Sequence, residues 1–206
     1  MPENAADTVI DLYQKNAAAW VKLRSSNLFE KPWLDRFLQA LPEGGREILD
    51  IGCGSGQPVG AYLIERGCQL TGVDAANALI DIARDAFPEH TWITADMRAL
   101  PPLPQFHGLI AWHSFFHLSP EAQRPVFKDF GRLCLPGGAL MFTSGTTLGH
   151  SIGTFEGRPL YHGSLDSAEY GRLLVENGFE VIEHVENDPA CGGATIWLAR
   201  KISDQL

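Results

Sequence analysis

The sequence predicts an α/β fold, a doubly wound and mostly parallel sheet with helices on both faces, placed behind an N-terminal helical segment. Three observations predict it. Short β-rich runs begin at residue 46 and alternate with helical stretches, a glycine-rich turn follows the first run, and the last two β-rich runs have no helix between them. Such alternation sets strands parallel with crossover helices, and it places ligand sites beyond the carboxyl ends of the strands.

Before residue 46 the apolar spacing is helical. Asp11, Leu12, Trp20 and Leu23 sit in an Ala-rich segment. Pro32 then opens a second amphipathic stretch with Trp33, Leu34, Phe37, Leu38 and Leu41, ended by Pro42 and the Gly44-Gly45 pair. Two helices are expected there. Residues 47–51 read as a buried strand, 58–66 as a helix, 68–73 as a second strand and 77–87 as a second helix. Strands follow at 91–95 and 107–112, then a helix at 120–133 and a fifth strand at 139–144. The tail reads as a helix over 166–177 closed by Gly178, then strands over 179–185 and 194–201. A polar turn with Asp188-Pro189 and Gly192-Gly193 joins those two strands, which makes them antiparallel neighbours. Residues 146–165, rich in Gly and His, read as a polar loop over the site edge of the sheet, where Phe155, Glu156, Arg158, Tyr161 and His162 offer an aromatic and charged mix.

Composition narrows the function classes. A 206-residue chain that is 45% hydrophobic and 20% charged suits one globular domain, not a disordered or coiled-coil one. Lys and Arg number 16 against 25 Asp and Glu, a net charge of −9. An acidic chain without a visible basic stripe is a poor counterion for a phosphate backbone, so no nucleic-acid partner is expected. No window approaches the roughly 20 apolar residues of a membrane span. Met1-Pro2-Glu3-Asn4 is acidic and polar where a secretory leader needs a basic start, so a cytoplasmic protein is expected. Cys53, Cys68, Cys134 and Cys191 are scattered without a CxxC pair, which reads as small buried thiols.

The chemistry-bearing motifs lie at strand ends. Asp50-Ile51-Gly52-Cys53-Gly54-Ser55-Gly56 sits where the first strand turns into a helix, and glycines there let the backbone turn sharply and approach a ligand. A dinucleotide fingerprint needs a glycine where Gln57 stands, which argues against a nicotinamide-dependent oxidoreductase. Asp74 ends the second strand, where a carboxylate can accept two hydrogen bonds from a ribose diol, or else cap the helix near Asn77. Asp96-Met97 ends the third. There the carboxylate can accept from an adenine amino group while the next backbone N–H meets a ring nitrogen; the alternative is a turn aspartate.

With Gly72-Val73-Asp74, Ala95-Asp96-Met97, Phe106-His107-Gly108-Leu109-Ile110 and Leu135-Pro136-Gly137-Gly138, the set resembles class I, Rossmann-like S-adenosylmethionine-dependent methyltransferases. The resemblance covers residues 46–145 well and extends loosely to both ends. It implies a seven-stranded sheet with a reversed last strand. It also implies one domain over 1–206, with a helical lid at 1–45, a cofactor-binding core at 46–145, and a substrate-side loop and closing strands at 146–206. The cofactor implied is S-adenosyl-L-methionine. Asp50 with Gly52, Cys53, Gly54 and Gly56 faces its amino-acid end, Asp74 and Ala75 its ribose, and Asp96 and Met97 its adenine. Trp112 and His113 lie near the sulfonium, and Tyr13, Trp20 and Arg24 resemble lid residues.

Departures from other members point to a small-molecule acceptor. Amino-methylating DNA enzymes carry an Asp/Asn-Pro-Pro-aromatic signature where this chain has Ala111-Trp112-His113-Ser114-Phe115-Phe116. The carboxylate and amide cluster of metal-dependent catechol-type enzymes has no counterpart. His113 and His117 stand four apart, with His150 and His162 elsewhere, but no acidic or thiolate ligands sharpen a metal site, so none is expected. His113 is the candidate base or orienting residue, and His117, Tyr161 and His162 are candidates for the acceptor side. A general base contributes very roughly 3–5 kcal/mol, whereas alignment of an activated donor with its nucleophile supplies about 7–11 kcal/mol, so positioning is expected to dominate. A second class of reading is a non-catalytic cofactor-binding or regulatory module, motivated by the lack of a carboxylate base after the fourth strand.

Overall fold

The computed structural model describes residues 6–24 and 27–202. Met1–Asn4, read in the sequence for a leader, lie outside the described residues. Parallel strands β1 (Glu47–Ile51), β2 (Gln69–Asp74), β3 (Thr91–Thr94), β4 (Phe106–Ala111) and β5 (Cys134–Ser144) form most of one sheet. Strand β9 (Ala194–Lys201) lies antiparallel to both β5 and β8 (Phe179–Asp188), giving seven strands in the order β3-β2-β1-β4-β5-β9-β8.

Side-chain alternation along β1 decides which layer each residue joins. Ile48 packs with Trp33 and Phe37 of α3 (Lys31–Ala40), Leu63 of α4 (Val59–Glu65) and Ile80 of α5 (Asn77–Ala86). Leu49 and Ile51 face the other way, toward Phe127 and Phe130 of α6 (Pro120–Leu133) and Tyr170 of α7 (Ser167–Glu176). Asp50, which shares the face of Ile48, is therefore a buried carboxylate between the apolar Leu49 and Ile51 near the end of the strand. The chain moves outward from β1 through β2 to β3 and then returns to the opposite side of β1 as β4. That reversal opens a crevice at the carboxyl ends of β1 and β4.

Four elements depart from the sequence reading. The Ala-rich segment is two helices, α1 (Val9–Lys15) and α2 (Ala17–Leu23), after a 3₁₀ turn at Ala6–Thr8. Asn16 breaks it: its side-chain Nδ2 donates to the Leu12 carbonyl at 2.8 Å, the local competition that disfavours Asn inside helices. Strand β5 starts at Cys134 rather than 139, because the Leu135–Gly138 stretch stays in the strand through an irregular register beside Phe106 and Gly108. Strand β8 runs on to Asp188 across two register shifts.

The largest departure is at 146–165. Instead of a loop it is a separate antiparallel hairpin, β6 (Gly149–Phe155) and β7 (Arg158–Ser164). Glu156 and Gly157 turn it with φ of 49° and 68°, the double left-handed geometry of a two-residue hairpin turn. Its apolar residues Phe155, Leu160 and Tyr161 pack on Val9 and Leu12 of α1, so the hairpin braces the N-terminal helices. A buried polar network holds its base: Tyr170 donates to Gln123 Oε1 at 2.6 Å and accepts from the Leu165 N–H at 3.0 Å. Gln123 Nε2 in turn donates to the carbonyls of Leu118 and Gly163 at 3.0 and 2.9 Å. Among the described residues, no helix is long and apolar enough to cross a membrane.

Candidate functional site

The crevice is built from two chain turns pressed together. The N–H groups of Gly52 and Cys53 donate to the Val73 carbonyl at 2.7 and 3.1 Å, folding the loop after β1 across the end of β2. Gly52 has φ +76°, and a Cβ placed on it would lie 2.2 Å from the Ser114 side chain, so only glycine fits. Ser114, in the turn after β4, donates from Oγ to the Ile51 carbonyl at 2.6 Å.

Asp74 closes one end. Its Oδ2 accepts from the Gly54 N–H at 2.9 Å and its Oδ1 from the Ala76 N–H at 2.8 Å, so it organises the glycine loop and the start of α5 together. Burial raises its pKa, partly offset by those backbone donors. A cleft of about 730 Å³ runs from Asp74 past Ala75, Met97 and Ser114 to His113, beneath Val9, Tyr13 and Trp20 of the N-terminal helices.

A second hollow of about 410 Å³ shares Trp20, Gly52, Gly54 and His113 with the first and ends at Asp50, Arg24 and Trp112. Asp50 is 3% exposed, and its carboxylate makes no hydrogen bond among the described residues. Burial, reinforced by the charge of Asp74, pushes its pKa up to about 7. The indole N–H of Trp112 is buried without a partner. Arg24 pairs with the fully buried Glu30, whose second oxygen is unpartnered.

Two imidazoles stand where the hollows meet the turn after β4. His113 has φ +50°, a left-handed backbone that few non-glycine residues adopt, and its N–H donates to Thr143 Oγ1 at 2.9 Å. Its ring makes no hydrogen bond among the described residues. Burial, then the charge of Arg24, lowers its pKa to about 4. His117 is locked: its Nδ1 lies 2.9 Å from the Tyr161 carbonyl, which only accepts, so Nδ1 carries the proton. Nε2 therefore accepts from the Tyr13 hydroxyl, 3.1 Å away. Burial lowers this imidazole to about 4 as well, against the raising effect of the carbonyl.

A sequence profile described as a methyltransferase domain matches residues 48–138. That match covers under half of the chain, the stretch from β1 into β5. The full fold is shared with solved methyltransferase structures. It superposes on the 1,6-didemethyltoxoflavin-N1-methyltransferase of Burkholderia thailandensis with a TM-score of 0.74 at 17% identity, covering 98% of this chain and 91% of that one. In sequence, the chain is similar to malonyl-[acyl-carrier protein] O-methyltransferase of Salmonella typhimurium, 31% identical over 97 residues, 47% of this chain. It is also similar to a tRNA (carboxymethyluridine(34)-5-O)-methyltransferase of Arabidopsis thaliana, 34% identical over 122 residues, 58% of this chain. The alignments span 38% and 29% of the length of those two curated relatives.

The structure brings Tyr13, Trp20, Gly52, Gly54, Asp74, Ala75, Asp96, Met97, His113 and His117 to the first cleft. Arg24, Asp50, Cys53 and Trp112 meet at the second hollow. Gly56 lines neither: a Cβ there would lie 2.7 Å from the Trp92 ring, so its small size serves packing. His162 lines a third hollow of about 860 Å³ under the hairpin. Tyr161 is buried, and its carbonyl rather than its ring reaches the site, through His117.

Several participants escape sequence reasoning. Arg98 grips both oxygens of Asp96, with Nε at 3.1 and 3.0 Å and Nη2 at 2.6 Å, and its Nη1 reaches Asp7 at 2.9 Å. Burial alone raises the Asp96 pKa, but the Arg98 bonds more than offset it and hold the carboxyl below its usual range. Its place two residues after Asp96 is a signal that could have found it. Ser114 and Thr143 carry no such signal, because their partners Ile51 and His113 are remote in sequence. Among the described residues, no group of three or more His, Cys, Asp or Glu is arranged to hold a metal ion.

Proposed function

We propose that the chain binds S-adenosyl-L-methionine along the two joined hollows and transfers its methyl group to a small acceptor by in-line displacement. The observation that carries this reading is Asp50, a buried carboxylate facing an internal hollow with no partner, at the far end of a continuous path from the anchored carboxylate of Asp74. A dicarboxylate-ended groove fits a molecule with an ammonium at one end and a diol further along. When bound, the cofactor supplies a methyl group already activated on positively charged sulfur.

The chain's own residues then have distinct roles. Asp50 accepts from the ammonium, and the orphaned Trp112 N–H with Arg24 faces the carboxylate beside it. Asp74, held by Gly54 and Ala76, presents its remaining lone pairs to the ribose hydroxyls. Met97 flanks the adenine, with Asp96 held in place by Arg98 rather than free to accept with both oxygens. Tyr13 and Trp20 cover the cleft and exclude water. His113, neutral at physiological pH, accepts a hydrogen bond from the acceptor and orients it, and His117 ties the covering helix to the hairpin.

The acceptor side is the third hollow, with His162, where a small molecule rather than a polynucleotide fits. The net charge of −9 supports that choice. So does the pairing of Arg24, Arg98 and Arg124 with Glu30, Asp96 and Glu169. Four free, buried cysteines suit a cytoplasmic setting. Calorimetric titration with S-adenosylhomocysteine tests the reading. Saturable binding is expected, weakened by about 1–3 kcal/mol in Asp74→Ala through the lost diol bonds; no heat at millimolar ligand contradicts it.

A further inference from the structure

Resting on the methyl-transfer reading above, we infer that the acceptor is an uncharged hydroxylated aromatic molecule, which enters through the hollow under the β6–β7 hairpin and lies against the Phe116 and His162 rings to reach His113. The direction of approach comes from the geometry. The two cofactor hollows share Trp20, Gly52, Gly54 and His113, so the reacting methyl belongs at their junction. Trp20 and the glycine loop close that junction on the cofactor's side. His113 is left facing a wall of rings, with Phe116 at 5.8 Å and Phe29 at 6.5 Å between centroids. Phe116 in turn contacts His162 at 5.2 Å, and both line the third hollow.

The chemistry of that hollow is uniform. Its other functional side chains are the hydroxyls of Ser144, Thr146, Thr147, Ser151 and Ser164 and the imidazole of His150, and no Lys, Arg, Asp or Glu lines it among the described residues. Burial lowers His113, His117 and His162 alike, so these three imidazoles supply no cation. The guanidinium of Arg24, which reaches His113 electrostatically, is already neutralised by buried Glu30. A carboxylate or phosphate brought here loses its water with no counter-charge in return, a large penalty for an isolated ion. A flat neutral ring loses little and gains aromatic edge and face contacts, while its hydroxyl meets an imidazole with an unused acceptor.

The transfer balances on that basis. A lone pair of the acceptor oxygen forms the new O–CH₃ bond as the S–CH₃ bond breaks, and that bond's electron pair stays on sulfur to give the neutral thioether. The hydroxyl proton passes to the free ring nitrogen of His113 and from there to water.

The test uses three ligands of one shape, 2-naphthol, 2-naphthoate and 2-naphthyl phosphate, titrated into protein saturated with S-adenosylhomocysteine. Naphthol is expected to bind at least tenfold more tightly than either anion, and with S-adenosylmethionine bearing a labelled methyl it alone yields a labelled ether. Phe116→Leu and His162→Ala are expected to weaken naphthol at least fivefold while leaving S-adenosylhomocysteine affinity unchanged, which also shows that the variants fold. Equal or tighter binding of either anion overturns the inference. So do indifference of naphthol to both substitutions and binding of none of the three. Failure of S-adenosylhomocysteine itself to bind would instead strike the methyl-transfer reading first.

Discussion

Acidification from pH 8 to pH 6 is expected to weaken S-adenosylhomocysteine binding about tenfold, because Asp50 loses its charge over that interval. Its carboxyl is buried and titrates near 7. It is then about 90% ionised at pH 8 and about 10% at pH 6, and a ratio near ten corresponds to about 1.4 kcal/mol. The ligand ammonium needs the ionised form, so binding at pH 6 releases close to one proton. His113 and His117, titrating near 4, stay neutral throughout the interval. The sign for the free protein is opposite. A carboxyl raised from 3.8 to about 7 keeps its proton in the folded state after the unfolded chain has lost it. Stability of the ligand-free chain therefore falls as pH rises from about 4 to 7, by roughly 4 kcal/mol from this group. Calorimetry in two buffers of different ionisation enthalpy reads both affinity and proton release, and Asp50→Asn should bind more weakly with a flatter profile. A pH-independent wild-type affinity, or an Asp50→Asn variant that keeps the wild-type slope, refutes the reasoning.

Other substitutions probe the scaffold. Tyr170→Phe leaves the Leu165 N–H and the Gln123 amide without their buried partner and should cost about 2–4 kcal/mol in urea unfolding; a loss within error contradicts the network's importance. Gly52→Ala combines a left-handed backbone with overlap on Ser114, and a destabilisation of about 2 kcal/mol or more is expected from thermal melts; an unchanged melting temperature denies the tight turn. His117→Gln removes an imidazole that is kept neutral in the fold, with a pKa lowered from 6.5 to about 4. Below 6.5 the unfolded chain binds that proton and the folded chain does not. The stability advantage of wild type over the variant should therefore shrink by about 3 kcal/mol between pH 7 and pH 4. Parallel stability curves contradict the assignment.

The sheet was legible because buried strands and amphipathic helices write their periods plainly: β1 and α6 fall where the pattern puts them, and β9 likewise. The motif residues at strand ends were legible for the same reason, since topology fixes where strand ends meet. The hairpin was not. Its strands, Gly-His-Ser-Ile-Gly-Thr-Phe and Arg-Pro-Leu-Tyr-His-Gly-Ser, lack a clean apolar alternation because they pack on α1 through only a few side chains. The surviving clue was the Glu156-Gly157 turn, weaker than an Asn-Gly pair. The break at Asn16 was hidden by strong helix formers on both sides, and the Arg98 grip on Asp96 was hidden because a turn aspartate and a ligand-facing one look alike in sequence. Gly56, read as part of a ligand-binding string, has a packing reason that the string does not reveal: its smallness makes room for Trp92.

A crystal structure of the chain grown with S-adenosylhomocysteine addresses the central claim most directly. The account predicts the ribose hydroxyls within hydrogen-bond distance of Asp74, the ammonium against Asp50 and the sulfur beside His113. Density for the nucleoside outside the crevice between β1 and β4, or an Asp50 carboxylate that faces no part of the ligand, would contradict it.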